Sequence, residues 1–109
     1  MTTLTDQNFD TKFDYFDTAR SELGLTAVWS IFEVENLSER HPFVGVTKVI
    51  YRAYGSGDHE VTIEGDTWKS LYVAADQLIR DSGDGHHIFI EDFKQSSINP
   101  EILFVTTGS

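Results

Sequence analysis

Apolar positions along this chain recur at two spacings, and the spacings alternate in a way that predicts both helices and strands. In residues 6–23, Phe9, Phe13, Phe16 and Leu23 return every three or four positions with the stem of Arg20 between them. That spacing puts them on one stripe of a helix, with Asp10, Asp14 and Asp17 on the other side. Gly24 follows as the left-handed stop and Leu25 as the apolar contact beyond it. A second, stronger stripe runs through residues 66–81. Trp68, Leu71, Tyr72, Ala75, Leu78 and Ile79 form its apolar side, and Lys69, Asp76, Gln77, Arg80 and Asp81 fall outside it. Asp66 is the expected N-cap and Ser82-Gly83 the expected end.

Between and after these helices the spacing changes to two. Residues 26–34 are β-branched and aromatic on both alternating sets, the mark of a strand covered on both faces. Residues 43–54 read as a second strand, with Val49, Tyr51 and Ala53 on one side, Lys48, Ile50 and Arg52 on the other, and Gly45 at a bend or bulge. The turn Gly55-Ser56-Gly57-Asp58 leads to a third strand, His59–Glu64, in which His59, Val61 and Ile63 alternate with Glu60, Thr62 and Glu64. A fourth strand is expected over His86–Phe93. A fifth, over Glu101–Thr107, sets Ile102 and Phe104 opposite Leu103 and Val105.

The element order helix, three strands, helix, two strands predicts an α+β two-layer sandwich: a five-stranded, largely antiparallel sheet with two helices on one face. Short connections favour a meander for the first three strands, giving strand order 3-2-1-5-4 or 3-2-1-4-5. The sheet face away from the helices would then carry Lys48, Arg52, Glu60 and Thr62 toward one side and Phe89 and Phe104 toward the other. A face of that mixture is expected to be an interface.

Size and charge narrow the functional classes. At 109 residues, with eight Phe, four Tyr and two Trp, the chain is expected to form one folded domain over residues 1–109. It has no cysteine, no run long and apolar enough to span a bilayer, and a polar start, so a cytoplasmic protein without membrane attachment is expected. Its net charge of −10 opposes direct binding to nucleic acid.

Three functional expectations remain. The leading one is a non-enzymatic interaction module that self-associates or binds a partner protein through the uncovered sheet face (Lys48, Arg52, Phe89, Phe104) or through the Phe-bearing first helix. No cofactor is expected for it. The second is a metal-binding or hydrolytic site. His59 and His86 each follow a Ser-Gly-Asp turn, and with Asp58 and Asp84 they supply two imidazoles and two carboxylates, an acceptable set for zinc if a helical crossover brings both strands in from the same end. No Gly-x-Ser-x-Gly elbow or phosphate loop adds to it. The third is acidic mimicry of nucleic acid, with Asp58, Glu60, Glu64 and Asp66 standing in for phosphates in a basic groove of another protein.

Overall fold

A computed structural model describes residues 14–31, 33–53, 57–83, 85 and 87–108. Helix α1 covers residues 14–23; Phe9 and Phe13, assigned to its stripe from the sequence, lie outside the described residues. Strand β1 is Val28–Trp29, β2 is Lys48–Ala53 and β3 is Gly57–Thr62. Helix α2 is Trp68–Ser82, and strands β4 and β5 are Phe89–Gln95 and Ile102–Gly108. The α+β order predicted from the sequence is the order observed, and both helices pack on one face of a single five-stranded sheet.

The sheet is ordered β1-β4-β5-β2-β3, which corrects the expected meander. The two antiparallel ladders, β2 with β3 and β4 with β5, have six paired positions each. The parallel contacts are shorter, two positions for β1 with β4 and three for β2 with β5. The meander fails because the 26–34 segment is not a long strand. Only Val28 and Trp29 pair, and they pair with Phe89 and Ile90 at the far edge. The apolar residues beyond them leave the sheet: Ile31, Val34 and Leu37 are buried from an irregular loop, and the Trp29 indole N–H donates to the Ile31 carbonyl at 2.9 Å. A run that is apolar on both sets describes a buried loop as well as a buried strand.

Other boundaries move for local reasons. Gly45, at φ +85°, lies in the turn ahead of β2 rather than within a strand. Strand β3 starts two residues early, at Gly57, φ +81°. Helix α2 is capped by Thr67, whose hydroxyl accepts from the Ser70 amide at 3.3 Å, and not by Asp66. The Asp66 carboxylate pairs with Arg40 at 3.0 Å, and its carbonyl accepts from the His41 amide. Gly24, φ +68°, ends α1 as expected, with the Leu25 amide reaching the Arg20 carbonyl at 2.9 Å. A register shift between Ile90 and Asp92 lets both Ile90 and Phe93 face the helices, three positions apart on one strand.

One core fills the space between the layers. Trp29 sits at its centre, with ring centroids 5.1 Å from Tyr72, 5.9 Å from Phe93 and 6.0 Å from both Phe16 and Trp68. Val49 and Tyr51 from β2, Ile90 from β4, Leu103 and Val105 from β5, and Leu71, Leu78 and Ile79 from α2 complete it.

Asp76 falls outside the apolar stripe of α2, yet it is 2% exposed. Its carboxylate accepts from the Thr26 and Ala27 amides at 2.8 and 2.7 Å and meets Arg80 at 2.7 Å. The link from α1 to β1 has amides with no ladder partner, and this carboxylate satisfies them. The Tyr72 hydroxyl donates to the Ala27 carbonyl at 2.6 Å from the same helix face.

Candidate functional site

The sheet face turned away from the helices is built by strict alternation. On β2, buried Val49 and Tyr51 turn Lys48, Ile50 and Arg52 outward. On β5, buried Leu103 and Val105 do the same for Ile102, Phe104 and Thr106. Ile50, Ile102 and Phe104 are half-buried, yet they are not among the partly buried apolar residues that pack against the core. The Arg52 guanidinium lies 4.8 Å from the Phe104 ring centroid, within cation–π range. A shallow hollow of about 300 Å³ beside them is bounded by Arg52, Lys94, Phe104 and Thr106.

Register fixes a row across four strands. Lys94 on β4 stands opposite Phe104, Phe104 opposite Ile50, and Ile50 opposite Glu60 on β3. Read across the sheet, the row runs cation, apolar, apolar, anion. Further along, Arg52 stands opposite Asp58, their side chains 3.8 Å apart, and Lys48 reaches Glu60 at 3.8 Å. Phe89, 38% exposed, lies opposite Gly108 near the β1 edge and on the same outer side, because its neighbour Ile90 faces the core. The four residues singled out from the sequence, Lys48, Arg52, Phe89 and Phe104, therefore share one face. Ile50 and Ile102, which complete its apolar centre, were legible in the same alternation and were passed over.

For the histidine and aspartate set, the described residues give half of the geometry. Asp84 and His86 lie outside them. Asp58 and His59 are consecutive on β3 and turn to opposite faces, Asp58 toward Arg52 and His59 toward the helix side, opposite Tyr51. Strands β3 and β4 do run in the same direction, as the crossover through α2 requires. Strands β2 and β5 stand between them, which at ordinary strand spacing separates their axes by about 14 Å. Among the described residues, no three His, Asp or Glu side chains converge in a way that could hold an ion.

The acids that suggested mimicry are interleaved with bases in space: Asp58 with Arg52, Glu60 with Lys48, Asp66 with Arg40. These contacts are exposed, and each adds little stability, but together they mix the charge along this edge. His41, the other buried polar residue beside Asp76, accepts from the Phe43 amide at Nδ1 and stacks near Phe43 and Trp68. Burial holds its pKa below the usual histidine value, the nearby Asp66 opposes that shift and Arg40 adds to it. It is a core histidine serving a loop. Every buried side-chain nitrogen and oxygen among the described residues has a hydrogen-bond partner, and no helix there is long and apolar enough to cross a membrane. Comparison of the chain with protein-family models, with curated proteins and with solved structures returns no match.

Proposed function

We propose that this chain is a non-enzymatic protein-interaction module whose working surface is the helix-free face of the sheet. The observation that carries the reading is the position of Ile50, Ile102 and Phe104, three large apolar side chains at the middle of that face, outside the core and, among the described residues, under no second layer. An apolar centre ringed by Lys48, Arg52, Lys94, Asp58, Glu60 and Asp92 has the arrangement of a protein interface, dry in the middle and charged at the rim. Protein fits this face better than nucleic acid does, because the chain's net charge of −10 repels phosphate.

Site-specific photocrosslinking in the expressing cell tests this reading. A photoreactive residue in place of Phe104 is expected to give a discrete protein adduct, and the same residue in place of the exposed Gln77 on α2 is not. Equal labelling from both positions, or none from position 104, would overturn it.

A further inference from the structure

We propose that the open edge of β3 captures an extended segment of another protein whose side chains alternate basic and apolar. The segment adds to the sheet beyond β3 and lowers its apolar side chains into the groove between β3 and α2. This site is separate from the outer face and does not depend on the reading given for it.

Register decides which backbone groups the edge offers. β3 is the last strand of the sheet, and β2 is its one neighbour. The Ile63 amide donates to the Thr47 carbonyl at 2.9 Å, while the Lys48 amide turns the other way, to the Glu101 carbonyl just ahead of β5. Directly opposed residues of an antiparallel ladder alternate between bonded and non-bonded pairs. His59, Val61 and Ile63 therefore spend their amides and carbonyls on β2, and Asp58, Glu60 and Thr62 point theirs out of the sheet. Among the described residues, no backbone group meets them there. Donors and acceptors repeating at strand spacing match another extended backbone, which makes the occupant a strand.

Side chains define its chemistry. A charged edge by itself is a common guard against unwanted pairing, but this edge has a groove behind it. Val61 on β3 and Ser70, Val73 and Ala74 on α2 bound a hollow of about 430 Å³, with Val73 43% exposed in its wall. In a strand added here, every second side chain falls on the helix side beside Val61, where a β-branched apolar group fits. The others fall on the opposite side, beside Asp58 and Glu60. Arg52 and Lys48 approach these two carboxylates from β2, the side away from the incoming strand. Glu64 adds a third carboxylate at the groove and Lys69 one cation. On a chain of net charge −10 this edge favours basic side chains, and the same carboxylates set it against a second copy of itself.

A site that reads backbone and alternation is open to many segments, each bound with a Kd on the order of 100 µM. Position 77, at one end of this groove, is therefore still expected to yield no discrete adduct in the crosslinking test.

Two measurements on the purified full-length chain test the proposal. In the free protein, hydrogen exchange is expected to be fast at the Asp58, Glu60 and Thr62 amides and slow at those of His59 and Val61. Slow exchange at the first three would mean that the edge is already covered, and would overturn the proposal.

The second measurement is a titration, followed by amide NMR shifts, with a capped peptide of alternating lysine and valine about seven residues long. Saturable shifts are expected at Asp58, Glu60, Thr62, Val73 and Ala74. A peptide of the same composition with its lysines and valines in separate blocks, and one alternating glutamate with valine, are each expected to bind about tenfold more weakly or worse. Methylating the nitrogens of one alternate set of peptide amides is expected to abolish binding and of the other set to spare it, because one set faces β3. Val73→Lys, at an exposed position that leaves the core intact, is expected to weaken the alternating peptide about fivefold or more. No saturation up to about 2 mM, equal binding of the blocked peptide, equal effects of the two methylated sets, indifference to Val73→Lys, or shifts confined to the surface around Phe104 would each overturn the proposal. Crosslinking from position 104 is independent of these results, so the outer-face reading stands or falls separately.

Discussion

The carboxylate of Asp76 and the guanidinium of Arg80 meet at 2.7 Å across one turn of α2, with the carboxylate 2% exposed and the guanidinium half in water. The remaining oxygen of Asp76 holds the Thr26 and Ala27 amides. Asp76→Ala would strand the buried Ala27 amide and the part-buried Thr26 amide and remove the tie between α2 and the segment entering β1. We expect a loss of about 2–5 kcal/mol, read as a lower denaturation midpoint in urea at neutral pH. A loss below about 1 kcal/mol would show that water replaces the carboxylate without cost.

Tyr72 lies in the same network. Its hydroxyl donates to the Ala27 carbonyl, and its pKa is pushed up to about 12, first by burial and then by the negative charge of Asp76 and Asp17, with Arg20 and a backbone hydrogen bond from Trp29 acting the other way. Because the folded pKa lies above the unfolded value of about 10, the unfolded chain loses this proton first. Tyr72 should therefore lower stability as pH rises from about 10 to about 12. Tyr72→Phe should cost about 1 kcal/mol at neutral pH and flatten that alkaline decline. An equally steep decline in the variant would assign it to other groups.

His41 gives the opposite dependence on the acid side. Its folded pKa is below the unfolded value of 6.5, so the unfolded chain takes up a proton first. Its contribution to stability is complete above 6.5 and declines as pH falls through that value toward the lower folded one. Urea denaturation from pH 7.5 down to 5.5 should show the decline, and His41→Gln should reduce its slope. A slope unchanged by the substitution would exclude His41 as its source.

Two glycines with positive φ are expected to differ in their tolerance of alanine. Gly83, φ +73°, closes α2 with open space where a Cβ would go, so Gly83→Ala should cost about 1 kcal/mol of backbone strain. Gly65, φ +117°, is strained for any side chain, and its added Cβ would meet the Ser70 hydroxyl inside the α2 cap. Gly65→Ala should cost more, about 2–3 kcal/mol. Equal midpoints for the two variants would refute the ranking.

The parts of this fold that could be read from sequence are those where one periodicity governs one segment. The α2 stripe from Leu71 to Ile79 and the alternation of Ile102 and Phe104 against Leu103 and Val105 fall in this group. Strand order is different, because it depends on pairing energies between segments far apart. Nothing local distinguishes Val28 and Trp29 beside β4 from the same residues beside β2. The burial of Asp76 is not legible in the α2 stripe, because the amides that it satisfies lie about fifty positions earlier in the chain. On the outer face, alternation was enough to bring Lys48, Arg52 and Phe104 together. The row of Lys94, Phe104, Ile50 and Glu60 needed the register of four strands, which the sequence does not carry.

Strand β5 lies between β4 and β2, although every other strand precedes it in the chain. Within the sheet, β5 is the strand that joins the β2–β3 hairpin to β4. During synthesis the strands that precede β5 therefore wait without a completed sheet until residues 102–108 clear the ribosome. Removing β5 should leave β2–β3 and β1–β4 with no strand pairing between them, held only through α2 and the core and more open to proteolysis.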